Sequence, residues 1–124
     1  MSLTVTSRVE NDIAILDLEG SLRLGPSLHS LRETARQVLN RSHPSGLILQ
    51  MGRLAAVDSA GLGELTVVYT YASRQSCRLA LVEVSQNLRT MLEVTHLDGL
   101  LPVATNVAAA KALFGASSGA ANAG

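Results

Sequence analysis

Cysteine is nearly absent from this chain. Cys77 is the one thiol among 124 residues, so no internal disulfide can form and a reducing, cytoplasmic compartment is expected. Aromatic side chains are almost missing too, with no Trp, one Phe and two Tyr. Neither sign of charge prevails, because ten acidic residues balance ten basic ones, and no global field draws the chain to nucleic acid or an anionic membrane. Nine of the basic residues are arginines, Lys111 being the single lysine. They are scattered and not interleaved with aromatics, which argues against a nucleic-acid surface. No apolar run approaches the ~20 residues that cross a bilayer. The opening Met1–Thr6 alternates like a strand and lacks the charged-then-apolar order of a signal peptide. A soluble intracellular domain with no membrane insertion is the expectation.

What is present is a regular alternation of elements, in a chain of the usual size for one domain. Leu3, Val5 and Val9 alternate loosely, Asn11-Asp12 marks a turn, and Ile13–Leu18 follows, which reads as an antiparallel hairpin ended by Gly20. Gly25-Pro26-Ser27 offers a helix start, and Leu28, Leu31, Ala35, Val38 and Leu39 recur at helical spacing. Leu47–Met51 is short and apolar, as in a central strand buried on both faces. Leu62, Leu65, Tyr69 and Ala72 form a second helical stripe, widened by Val67, Val68 and Tyr71. Arg78–Val84 reads as a strand. Ser85 is placed to cap a helix carrying Leu88, Met91 and Leu92. Leu100–Val103 reads as a short strand whose Pro102 suits an edge, and Asn106 is placed to cap a last helix.

The order β-β-α-β-α-β-α-β-α predicts an α/β domain over residues 1–114, with a mainly parallel sheet and an antiparallel N-terminal hairpin strand. Residues 115–124 are Gly, Ala, Ser and Asn with no anchoring side chain, and are read as a disordered tail. The wide apolar stripe and the Pro102 edge are compatible with a monomer or a weak dimer.

Between the central strand and the second helical stripe stands Val57-Asp58-Ser59-Ala60-Gly61-Leu62-Gly63-Glu64-Leu65. A hydroxyl sits beside a carboxylate at a helix start, followed by two glycines that each cost roughly 1 kcal/mol relative to alanine. Three roles compete for Ser59. Asp58 or Ser59 can cap the helix, a contact worth ~1 kcal/mol, but capping leaves the glycines unexplained. A nucleophilic serine would want a glycine where Val57 stands, and His29, His43 and His96 lie in no recognisable base context. A phosphoacceptor fits the helix dipole and free N–H groups, and a phosphate there adds roughly −1.5 to −2 charge. Gly61-Leu62-Gly63 is not a phosphate-cradling loop, having no third glycine at Thr66 and no Gly-Lys-Ser/Thr. Asp58, Glu64 and Glu83 are isolated in sequence, and no metal-ligand spacing occurs. No catalysis, cofactor or metal is expected.

From Leu3 to about Phe114 the chain resembles the STAS domains, and among them the anti-sigma factor antagonists. The likeness rests on the strand order, on Leu18-Glu19-Gly20, on Leu47-Ile48-Leu49 and above all on Asp58-Ser59-Ala60-Gly61-Leu62-Gly63. It implies a non-enzymatic binding module that controls a sigma factor by partner switching. The unphosphorylated form binds an anti-sigma factor that is also a serine kinase of the GHKL type. Phosphorylation of the serine after the aspartate, Ser59 here, dissolves the complex, and a PP2C-type phosphatase resets it. The implied partner surface comprises Ser21, Leu22, Arg23 and Leu24 together with Asp58, Ala60, Gly61, Leu62, Gly63 and Thr66. Arg23 departs from the acidic residue common at this place, and it could either hold a phosphate or spoil a kinase contact. The resemblance is also consistent with a constitutive scaffold or a subunit of a stress-signalling or transport complex, for which the Ser59 hydroxyl is dispensable.

Overall fold

A computed structural model of the protein describes the backbone of residues 2–123 and the side chains of residues 2–115. Among them the elements run β1 (Leu3–Glu10), β2 (Ile13–Leu22), α1 (Ser30–Ser42), β3 (Gly46–Val57), α2 (Ser59–Arg74), β4 (Arg78–Val82), α3 (Gln86–Val94), β5 (Val103–Ala104) and α4 (Val107–Ala123). The strands lie in sequence order, β1-β2-β3-β4-β5. β1 is antiparallel to β2 and the other pairings are parallel. The α/β architecture and element order are those the sequence implies.

Alternation along the strands divides the apolar residues between two layers. Leu16, Leu18, Leu49 and Leu81 face α1, α2 and α3, which contribute Leu31, Leu39, Leu65, Val68, Leu88 and Leu92 to the larger core. Ile15, Ile48, Ala80 and Val82 face the other way and are covered by Ala110 and Phe114 of α4. The hairpin turns through Asn11 and Asp12, both at positive φ, where Asn and Asp are better tolerated than most residues. Two expected helix caps are found. Ser85 Oγ accepts the Leu88 N–H at 3.1 Å, and Asn106 Oδ1 accepts the Ala109 N–H at 2.8 Å.

Several boundaries differ from the sequence reading: β4 stops at Val82 and not Val84, and β5 is Val103–Ala104 and not Leu100–Val103. Gly20 does not end β2: it takes φ +105° and a Cβ there would overlap the Ser2 carbonyl, and the strand continues through irregular register to Leu22. Ser21 and Leu22 are therefore sheet residues and not loop. That extension gives β3 a partner beyond Met51, so β3 runs on to Val57 across the apolar break at Gly52-Arg53. α1 begins at Ser30 instead of near Pro26, because the Ser27 hydroxyl is spent accepting the Leu3 N–H at 2.9 Å. The last helix is bounded Val107–Ala123 and so extends over the segment expected to be disordered. The side chains of residues 116–124 lie outside the described residues.

Candidate functional site

Strands β2 and β3 leave the sheet side by side. Leu22 pairs with Val57 in parallel register, so the next residues, Arg23 and Asp58, emerge at neighbouring strand ends. Crevices at the carboxyl ends of parallel strands are where α/β sheets commonly place their functional groups. Asp58 fastens this corner. Its Oδ1 accepts the Gly61 N–H at 2.8 Å, capping α2, and its Oδ2 accepts the Leu24 N–H at 3.0 Å, holding the loop after β2. The Asp58 N–H in turn donates to the Leu22 carbonyl at 3.3 Å. The Leu24 and Gly61 N–H groups, with the positive charge of Arg23 further off, hold the Asp58 carboxyl below its usual range.

With Asp58 as the cap, Ser59 is the first residue of α2 and is exposed. The choice left open between Asp58 and Ser59 falls on Asp58, because its carboxylate lies at the extended N-cap position from which an oxygen reaches the third helical N–H. Gly63 is exposed one turn on, and a Cβ there would meet nothing within 4 Å. Thr66 is half-buried, its hydroxyl donating to the Gly63 carbonyl at 2.6 Å. Leu24 is 80% exposed at the same corner. Arg23, Leu24, Ser59 and Gly63 thus form an outer surface, with Asp58, Ala60 and Thr66 half-buried at its edge.

The remaining residues of the expected surface face inward. Ser21, Leu22, Gly61 and Leu62 are buried. Gly61 lies against β2 so closely that a Cβ would overlap the Leu22 carbonyl oxygen. The two glycines therefore serve different ends: Gly61 permits helix and strand to touch, and only Gly63 leaves space for something outside.

One charged group escaped the sequence reading. Glu64, isolated in sequence, is 3% exposed in the first turns of α2. Both its oxygens accept from the Arg32 guanidinium of α1, with Nε at 3.1 and 2.9 Å and Nη2 closer still, and His29 Nδ1 lies 3.3 Å away. The hydrogen bond with Glu64 reinforces the charge on Arg32. The three histidines occupy helix ends: His29 is the N-cap position of α1, His43 its left-handed C-cap, and His96 a left-handed residue just past α3. Among the described residues no group of three or more His, Cys, Asp or Glu could hold a metal, and no helix is long and apolar enough to cross a membrane.

Residues 4–110 match the family model of the STAS domain. Solved structures similar to this chain include an anti-sigma factor antagonist from Mycobacterium paratuberculosis, at 17% identity over 91% of this chain and 94% of that one, with a TM-score of 0.76. The Bacillus cell fate determinant SpoIIAA in its phosphorylated form matches at 18% identity over 90% and 99%, with a TM-score of 0.67. A sulfate transporter family protein from Wolinella succinogenes matches at 20% identity over 86% and 88%, with a TM-score of 0.69. At these identities the likeness is one of fold.

Proposed function

This chain belongs to the STAS domain family, and within it we propose an anti-sigma factor antagonist whose binding is switched off by phosphorylation of Ser59. The observation that carries the reading is the division of labour at the start of α2. Asp58 does the capping, which leaves an exposed hydroxyl at a helix N-terminus beside a glycine with open space above it. Likeness to structures of anti-sigma factor antagonists, one of them phosphorylated, supports it.

In the proposed cycle the unmodified surface of Arg23, Leu24, Ser59 and Gly63 docks on an anti-sigma factor that is a GHKL-type kinase, and sigma is set free. The Ser59 Oγ then attacks the γ-phosphorus of ATP held by that kinase. The Oγ–P bond forms, the bond from the γ-phosphorus to the ADP oxygen breaks, and the hydroxyl proton passes to a base on the kinase. A phosphoserine of roughly −1.5 to −2 charge then stands in the middle of the docking surface, and the cost of desolvating it against the partner breaks the complex. A PP2C-type phosphatase restores the hydroxyl by hydrolysis.

Affinity capture from native cell lysate tests this, with wild type, Ser59→Ala and Ser59→Asp as parallel baits. Wild type and Ser59→Ala should recover a GHKL-type kinase, and Ser59→Asp should bind it at least tenfold more weakly. The likeness to a sulfate transporter family protein supports a second reading, a constitutive scaffold or transport subunit. It predicts the same partners on all three baits.

A further inference from the structure

We propose that phosphorylated Ser59 is gripped within the chain itself by Arg23, so that the loop after β2 becomes part of the phosphorylated surface. The inference rests on Ser59 being the phosphoacceptor. The β2–β3 register carries the argument. Leu22 and Val57 are partners in a parallel pair, which puts Arg23 and Asp58 at neighbouring strand ends with Ser59 the next residue along. The Leu24 N–H to Asp58 Oδ2 bond, at 3.0 Å, and the Asp58 N–H to Leu22 carbonyl bond, at 3.3 Å, tie the two segments on either side of Arg23. The backbone carrying the guanidinium is thus already held next to the backbone carrying the hydroxyl.

Arg23 is also free to act. It is exposed, and among the described residues no carboxylate lies within ion-pair distance of it, whereas Arg32, Arg53 and Lys111 each have one and Arg8 has two. Asp58, the nearby acid, spends its two oxygens on the Gly61 and Leu24 N–H groups. A phosphate on Ser59 would be the stronger partner, because a planar guanidinium fork matches phosphate oxygens in two parallel hydrogen bonds. Arg23 opposes the repulsion between the phosphate and Asp58. It thereby keeps the Asp58 cap and the Leu24 tether in place in the modified protein.

The test uses the full chain with phosphoserine installed at position 59 during translation, so that no kinase is needed. The pH dependence of the phosphorus-31 chemical shift gives the second pKa of the phosphate, ordinarily about 6. Wild type should show a value lower by about half a unit or more than Arg23→Ala and Arg23→Gln, since an adjacent cation favours the dianion. Arg23→Lys, which keeps the charge but not the fork, should recover only part of the difference, and 1 M salt should reduce the part that is charge alone. Matching melting temperatures of the unphosphorylated proteins would show that the variants are folded. Equal phosphate pKa values in wild type, Arg23→Ala and Arg23→Gln would overturn the proposal. Failure of the switch itself is read separately, as equal kinase capture by wild type and Ser59→Asp.

Discussion

A methyl group added at Gly61 would run into the Leu22 carbonyl, which is backbone and cannot swing aside, whereas one added at Gly63 meets open space. The two alanine substitutions should therefore part company. Gly61→Ala forces α2 away from β2, and overpacking of that kind costs about 1–3 kcal/mol. Gly63→Ala gains helix propensity, about 1 kcal/mol, and should raise stability while weakening binding to the proposed kinase partner several-fold. Urea unfolding of both variants, with an affinity measurement on Gly63→Ala, checks the pair. A stabilised Gly61→Ala would show that the helix–strand approach is slack. Cys77 at this scale is inert: burial pushes its thiol up to about 11, so thiolate chemistry at neutral pH is suppressed.

At the scale of elements, the start of α2 is held to the loop after β2 by one carboxylate. The Leu24 and Gly61 N–H groups hold the Asp58 carboxyl below the usual aspartate range in the folded protein. Its contribution to stability is fully present above the unfolded pKa, and is lost as pH falls through the lower folded value. Asp58→Asn keeps an acceptor for the Gly61 N–H but has no carboxyl to titrate. Thermal unfolding between pH 2 and pH 6 should show a shallower acid-side fall for Asp58→Asn than for wild type. Parallel curves would mean that the Leu24 and Gly61 bonds do not favour the ionised form. A second fastening joins the same helix to α1, where buried Glu64 meets Arg32. Removing Arg32 alone strands a buried carboxylate. Arg32→Ala should consequently destabilise the fold more than the double variant Arg32→Ala/Glu64→Leu, a comparison made by the same urea titration.

Across the whole molecule, the sheet is covered unequally. Three helices share one face, and among the described residues α4 closes the smaller core on the other. Phe114 is the largest side chain α4 brings there, lying against Gly46 and under the Arg78 guanidinium at 5.9 Å from the ring centre. Phe114→Ala should cost about 3–5 kcal/mol. Because α2 is on the opposite layer, affinity for the proposed kinase partner, per folded molecule, should stay at the wild-type value. Calorimetry and binding measured on the same sample would separate the two effects, and a loss of affinity matching the loss of stability would show that the layers are coupled.

Element order, sheet class, the caps at Ser85 and Asn106 and the Ser59 motif were all legible in the sequence. Each is written in local signals: apolar periodicity of two or 3.6 residues, and a short polar side chain immediately before a helix. What depends on residues far apart was decided by tertiary structure alone. The continuation of β2 through Gly20 and of β3 through Gly52 is mutual pairing, invisible in either strand by itself. The tether from Asp58 to the loop after β2 depends on Leu24, 34 positions away. The burial of Glu64 depends on Arg32, 32 positions away. Gly61 and Gly63 are alike in the chain, and only the Leu22 carbonyl lying over one of them makes the first a packing residue and leaves the second with open space above it.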